Sequence, residues 1–316
     1  MAIQAPPAVD DQPPKVLVLL ASCNGARWIR KQLDSILNQQ DADVRVMVRD
    51  DCSTDATLEE IAHFKDCGRV RYCPSQHRAG SAARNFFALI ESTPGEEFDF
   101  IAFADQDDIW RSDRLARACR LLRAGRSVGY SSATLALWPD GRTAILRQQQ
   151  RQTAADFLFE GAGQGCTFVV RADFYRRVRE FVQDRRDLIA QAHYHDWTIY
   201  ALARAWGESW IFDAAPTVTY RQHEANDTGA RRSASGVSRR IGLIRRGWYK
   251  SQLSAIAAIC AAAAPADTTV ADWRSLFGRE DGWSRRLRIA RFCMSRSRRK
   301  VTDRAVVVAA GLLGWI

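Results

Sequence analysis

Four short apolar runs, each followed by a stretch with helical spacing, constrain the fold of this chain more than any other feature. KVLVLLAS (15–22) is apolar almost throughout, as expected of a strand covered on both faces. Behind it Trp28, Ile29, Leu33, Ile36 and Leu37 fall on one side of a helix reaching about Asn38. VRVMVRD (44–50) predicts a second buried strand, and DCSTDATLEEIAHF a turn, a cap at Ser53 or Thr54 and a second amphipathic helix. RVRYC (69–73) predicts a third strand, and a helix from about Ser81 to Glu91 leads into a fourth, FDFIAFA (98–104). Strands alternating with helices of ten or more residues imply βαβ units and an α/β, mostly parallel sheet flanked by helices.

In such sheets ligands bind beyond the carboxyl ends of the strands, where loops converge and helix amino-termini point outward. Two acidic clusters stand there: Asp50 with Asp51, and Asp105 with Asp107 and Asp108 in FADQDDIW. Carboxylates so close repel one another unless neutralised, and a divalent cation on oxygen ligands does that. A plainer role is open to acids after a strand, that of capping the next helix, and Asp113 has the position to cap RLARACRLL. An EF-hand starting at Asp105 is excluded, because Ile109 and Trp110 stand where an oxygen ligand and a glycine are needed.

At 316 residues and 47% hydrophobic, the chain can bury a sizeable core as one large or two modest domains. Its eight cysteines show no C-x-x-C pair, and MAIQAPPAVDDQPP lacks a basic-then-apolar signal segment. Reduced thiols, a cytoplasmic location and a flexible leader over residues 1–14 are therefore expected. The net charge of +10 suggests nucleic acid until it is located: Arg231 to Arg304 holds 18 Lys/Arg against five Asp/Glu, so the remainder is slightly acidic.

The ordered set VLLASCNGARWIRKQLDSILNQ, VRDDCSTDAT, FADQDDIW, EGAGQGCTFVVRADF, HYHDWTIYALARAWG and VTYRQHEAND resembles the family 2 glycosyltransferases, and among them the rhamnosyltransferase-like bacterial members. The resemblance covers about residues 15–230. Three acids in four residues arise often by chance; the order of the motifs makes the match specific. It implies a GT-A fold and a metal-dependent, inverting transfer of a sugar from a UDP- or dTDP-linked donor, dTDP-rhamnose first, to a saccharide or lipid-linked glycan in cell-surface polysaccharide synthesis.

By position the resemblance implies Asp107 as ligand of Mn²⁺ or Mg²⁺, Asp105 on metal or ribose, Asp108 in support, and His223 completing the coordination or touching the diphosphate, with Arg221 adding positive charge. It sets Asp50 against the ring N–H of the base and Ser22 and Asn24 beside base or ribose, although Asn24 is equally placed to cap the first helix. Arg84 and Asn85 resemble the segment packed beside the acidic loop, where Arg84 could neutralise phosphate or form a surface ion pair. The turn Gly163–Gln164–Gly165–Cys166 would line the acceptor side; Cys166 itself reads as a small core residue.

The chemistry asks for these groups. Breaking the sugar C1–O bond builds charge on a diphosphate, which a cation stabilises. Inversion needs a base facing the sugar opposite the leaving group. Asp196 opens DWTIYALARAWG at a predicted helix amino-end, which favours its charged form, while partial burial would raise its pKa. A helix cap is its alternative. His193 and His195 invite a zinc reading that Trp197 and Thr198 break, leaving His195 to orient Asp196 or meet the acceptor.

Residues 231–316 read as a basic, mainly helical extension for a membrane surface or a second subunit. WSRRLRIARFCMSRSRRK sets Arg285, Arg286, Arg288 and Arg291 beside Trp283, Leu287, Ile289 and Phe292, a pattern able to lie on anionic lipid at the inner face of the cell membrane. AVVVAAGLLGWI is too short to span a bilayer. Two rival functions come from other classes. A nucleotidyltransferase would carry a glycine-rich basic loop after the first strand, of which SCNGARW is a poor version. An RNA-binding protein would use the arginine-rich tail.

Overall fold

A computed structural model describes residues 12–75, 77–147, 151–223, 242–277 and 281–316. Most of the expected leader, the connection RRSASGVSRR and the end of YRQHEAND lie outside the described residues.

Nine strands form one sheet in the order β3-β2-β1-β4-β8-β6-β9-β5, with β7 paired to β6. The strands are β1 (Lys15–Ser22), β2 (Asp43–Asp50), β3 (Val70–Cys73), β4 (Phe100–Asp105), β5 (Ile109–Trp110), β6 (Gly129–Leu137), β7 (Thr143–Leu146), β8 (Val169–Arg171) and β9 (Trp210–Arg221). The first four pair in parallel, and β8 then joins β4 and β6 antiparallel, so the sheet is mixed. Helices α1 (Ile29–Leu37), α2 (Thr57–Ala62), α3 (Ala82–Ser92), α4 (Arg114–Ala124), α5 (Ala172–Asp184), α6 (Arg186–Ile189) and α7 (His195–Ala205) flank it.

β1 is apolar at every inward position because both its faces are covered. Val16, Val18 and Leu20 pack with Ile29 and Leu33 of α1 and Leu115 of α4. Leu17, Leu19 and Ala21 pack with Phe86 of α3, Phe174 of α5 and the body of α7. Burying each such side chain contributes about 1.5–3 kcal/mol. β2 departs from its expected full burial: Val44, Val46 and Val48 point inward while Arg45 is exposed and Met47 half-buried, because only one face is fully covered. β3 is an exposed edge.

Three expected caps are not made. Asn24 lies five residues before α1 with φ 51°, and its Oδ1 accepts from Thr54 N at 2.8 Å, tying two loops together. The start of α2 is served by Asp55, whose Oδ1 accepts from Thr57 N at 3.1 Å, rather than by Ser53 or Thr54. Asp113 pairs with Arg111 at 3.0 Å and leaves α4 uncapped. Ser81, by contrast, does cap α3 through Arg84 N at 3.3 Å.

The core does not end where the motifs thin out near residue 230. Helices α8 (Trp248–Ala263), α9 (Thr268–Phe277), α10 (Trp283–Arg296) and α11 (Val301–Leu312) contribute Leu253, Ile256, Cys260, Trp273, Ile289 and Val307 to the same cluster as α7. Of the arginines expected to face lipid, Arg285 is buried and donates to Leu276 O at 2.7 Å, and Ile289 and Phe292 face the core. No described helix is long and apolar enough to cross a membrane.

Candidate active site

Parallel pairing brings three strand ends level. Ser22 of β1 pairs with Asp50 of β2, and Ala21 with Asp105 of β4, so the two acidic clusters share one edge of the sheet. Asp50 is buried and accepts from Ser22 Oγ at 2.9 Å, Ser53 N at 2.7 Å and Ser53 Oγ at 2.6 Å. An ionised carboxylate has about four acceptor positions, so one remains. Asp51 turns the other way and takes the backbone N–H groups of Ala79 and Gly80, fixing the loop ahead of α3. Asn85, on α3, donates to Ser22 O and Arg49 O and so holds β1 and β2 together; Arg84 is exposed on the first turn.

The acidic loop is clamped from two sides. Gln106 forms a two-point bridge with the backbone of Cys23, at 2.8 and 2.9 Å. At the end of β9, Arg221 donates to Asp107 O at 2.9 Å, and His223 Nε2 meets Asp107 Oδ2 at 2.7 Å. Trp28 backs this pair, with the Arg221 guanidinium 4.9 Å from its ring centroid and His223 stacked at 5.8 Å.

Asp108 is fully buried, and among the described residues neither of its oxygens is met by a well-aligned hydrogen bond; its nearest donors are the Cys166 thiol and the Arg221 backbone N–H. Burial, reinforced by Asp107 and Asp105, pushes its pKa well above the usual carboxylate range. One ligand atom each of Asp105, Asp108 and Cys166 lies within 4.8 Å of the others. Cys166 is thus not a bystander in the core, and burial pushes its thiol up as well. Arg114, buried over the Trp110 ring at 3.6 Å, donates to Cys166 O at 2.7 Å and brings a positive charge near Asp108. The two carboxylates are the oxygen donors that a hard divalent cation takes, with the Cys166 thiol, kept protonated by burial, beside them, and the poorly satisfied Asp108 oxygens are what such an ion would satisfy. The sequence pointed to Asp107, Asp105 and His223 for this role; in the fold Asp105 is in the cluster, and Asp107 and His223 pair with each other beside it.

Gly165 and Cys166 connect this cluster to Asp196. A Cβ on Gly165 would stand 2.6 Å from His195 Nε2 and 3.1 Å from Asp196 Cβ, so only glycine permits the contact. Asp196, in the first turn of α7, accepts from Trp197 N at 2.6 Å and from the backbone of Gly165. Burial outweighs these hydrogen bonds and raises its pKa to about 6. His195 lies buried against Phe86, ring centroids 3.9 Å apart, and burial lowers its pKa to about 3, so it is neutral at physiological pH. Its Nε2 has no partner among the described residues. His193 is exposed and edge-on to Trp248, apart from any ligand cluster.

The C-terminal helices support this arrangement. Gln252 Oε1 accepts from His193 N at 2.9 Å, Tyr249 donates to Phe159 O at 3.0 Å, and the two rings of Trp197 and Tyr249 stack at 6.4 Å. Sequence reasoning missed Cys166 and Gln106, whose roles depend on contacts across 50 to 80 residues that no local pattern records.

The sequence profile "Glycosyl transferase family 2" matches residues 17–196, more than half of the chain. The chain is a family 2 glycosyltransferase. This glycosyltransferase is 37% identical over 240 residues to the dTDP-rhamnosyl transferase RfbG of Shigella flexneri, covering 75% of this chain and 83% of that one. It is 33% identical over 101 residues, 32% of this chain and 38% of the relative, to the UDP-Glc:alpha-D-GlcNAc-diphosphoundecaprenol beta-1,3-glucosyltransferase WfgD of Escherichia coli. Among solved structures it is similar to S. aureus TarS 1-349 in complex with UDP, at TM-score 0.56 and 13% identity over 95% of this chain and 89% of that one. The mannosyltransferase PcManGT from Pyrobaculum calidifontis, solved with GDP-Man and Mn2+, aligns at TM-score 0.50 and 18% identity over 98% and 90%. The glycosyltransferase therefore has the GT-A fold, with its C-terminal helices joined to it.

Proposed function

We propose that this glycosyltransferase moves a rhamnosyl group from dTDP-rhamnose to a hydroxyl of a glycan carried on lipid, at the inner face of the cell membrane, during polysaccharide synthesis. The observation that carries the reading is Asp196, whose pKa burial raises to about 6 while it accepts from the turn whose next residue joins the acidic cluster. The name of the Shigella relative supports the donor.

Asp196 takes the proton of the acceptor hydroxyl as that oxygen attacks the sugar C1 from the face opposite the nucleotide. The C1–O bond breaks, its electron pair leaves with the diphosphate, and the anomeric configuration inverts. A base with pKa near 6 is ionised at neutral pH yet retains proton affinity. Asp105 and Asp108, with Cys166 beside them, would hold Mn²⁺ or Mg²⁺, which when bound stabilises charge on the departing diphosphate. Asp107, fixed by His223 and Arg221, keeps the loop in place; Arg221 and the exposed Arg84 add positive charge for phosphate. Asp50 offers its remaining acceptor position to the base N–H, with Ser22 and Asn24 lining base and ribose. Gly165 and neutral His195 border the acceptor.

The test is a transfer assay on the full chain with dTDP- and UDP-linked sugars and Mn²⁺, the product read by mass spectrometry and its anomer by NMR. Transfer from dTDP-rhamnose with inversion is expected. Stabilisation by UDP but not dTDP would remove the donor assignment, and a retained anomer would remove Asp196 as a direct base.

A further inference from the structure

The outer face of α10 and α11 is built unlike the rest of the surface. Trp283, Leu287 and Met294 of α10 recur at helical spacing on one stripe and are all more than half exposed, Trp283 at 71%. On α11 the exposed positions are Val301, Thr302, Ala305, Val306 and Ala309, continued by Leu313, and none is charged. The stripes adjoin, because Gly311 of α11 lies against Ile289 and Ala290 while Gly314 lies against Arg286. A soluble helix ordinarily turns charged residues outward and apolar ones inward. Here both helices already bury one apolar face, through Ile289, Cys293, Val307 and Ala310, and present a second to the outside.

The charges around this face have one sign. Between Gly282 and Thr302 the exposed ionisable residues are Arg288, Arg291, Arg296 and Lys300, and no acid occurs in that span. Asp281 pairs with Arg286 at 2.6 Å and Asp303 with Arg298 at 3.5 Å. Arg245 stacks over Trp315 at 5.9 Å and adds a cation beside the end of α11.

We infer that the paired helices α10 and α11 lie flat on an anionic lipid surface, with Trp283, Leu287, Met294, Val301, Val306 and Leu313 in the interface and the arginines on headgroup phosphates. Helices of this length extend about 20 Å along the surface, enough for three or four turns of contact without spanning it. An aromatic at the rim and a basic border suit the water–lipid boundary. A second copy of this chain fits less well. Two-fold pairing would oppose one face to itself, bringing the arginines of both copies together, with the nearest acids, Asp281 and Asp303, already paired to Arg286 and Arg298. Nucleic acid would neutralise the cations but offers nothing to an aliphatic stripe of Leu, Met and Val. The inference rests on the lipid-carried acceptor only for its purpose, and it is read out without donor or acceptor.

Flotation of the full chain with phosphatidylcholine vesicles, with and without phosphatidylglycerol, tests it. Binding is expected with the anionic lipid and should weaken as salt rises. Leu287→Glu with Val306→Glu should cut partitioning by more than about tenfold, and Arg288→Gln with Arg291→Gln by on the order of fivefold per arginine. Because these side chains are exposed, the thermal midpoint and hydrolysis of the nucleotide sugar should stay at wild-type level, which separates loss of docking from loss of fold or of chemistry. Undiminished flotation of the Leu287→Glu, Val306→Glu protein overturns the inference. So does a dimer in sedimentation that the same substitutions dissolve, with no vesicle binding by wild type, since the face is then a subunit interface.

Discussion

Among the described residues of this glycosyltransferase two aspartates are completely buried, and they live in opposite circumstances. Asp156 is saturated: it accepts from Arg204 at 2.8 Å, Phe157 N at 2.9 Å, Tyr200 at 2.9 Å and Arg299 at 3.2 Å. Asp108 has no well-aligned donor among the described residues, only the Cys166 thiol and the Arg221 backbone nearby, and sits next to other acids. Burial alone therefore does not mark a site. A buried charge with its full set of donors is part of the frame, locking the 153–161 segment to α7 and to the linker between α10 and α11. A buried acid short of good donors, just past the tip of a parallel strand, is held in an unfavourable state that a ligand relieves. Asp196 stands between the two, with two backbone donors and a pKa still raised to about 6.

The sharpest way to break the comparison is chemical. Asp196→Asn should lower transfer on the order of 10²–10⁴-fold, with donor binding unchanged by calorimetry. The wild-type rate should rise with pH through about 6 and then level off, whereas the residual rate of the variant should be flat. A variant with wild-type turnover would place Asp196 in the frame with Asp156.

Asp156→Ala should do the reverse, costing about 3–5 kcal/mol in urea unfolding because Arg204 loses its carboxylate and buried Arg299 keeps only Glu160. A loss below about 1 kcal/mol would mean that the network is tolerated rather than needed. Mn²⁺ should then separate the two fully buried acids. At a hundredfold excess over its Kd it should stabilise wild type by about 2.7 kcal/mol, leave Asp108→Asn unmoved, and still stabilise Asp156→Ala. An equal response in Asp108→Asn would shift the ion to Asp107 and His223.

The smallest effect carries a sign. The Asp196 carboxyl binds its proton more tightly folded than unfolded, so stability falls as pH rises from about 4 to 6, and the deficit persists above that. Asp196→Asn should thus gain roughly 1–3 kcal/mol at neutral pH. A helix cap would instead lose about 0.5–2 kcal/mol on removal.

Much of the site was legible before any coordinates. The strand ends at Ser22, Asp50 and Asp105 follow from apolar runs of fixed length, since period and burial are local signals. The place of Asp196 at a helix amino-end was legible; its expected role as base came from the family resemblance. Cys166 was read as a small core residue because its meaning comes from Asp105 and Asp108, some 60 residues away. Asn24, Ser53 and Asp113 were read as caps because side-chain hydrogen bonding to the nearest helix is the local option; in the fold Asn24 meets Thr54 across a loop, Ser53 meets Asp50 and Asp113 meets Arg111, two residues away.

The amino-acid sequence by itself determined the alternation of strands and helices, the acids at the strand tips and the family, because each is written in spacing and order along the chain. Only the tertiary structure decided which acid is left short of good donors, that a turn of glycine and cysteine joins Asp196 to the acidic cluster, and that the C-terminal helices share the core while baring a second apolar face. Those properties arise from desolvation and from contacts between distant segments, and both exist only once the chain has packed.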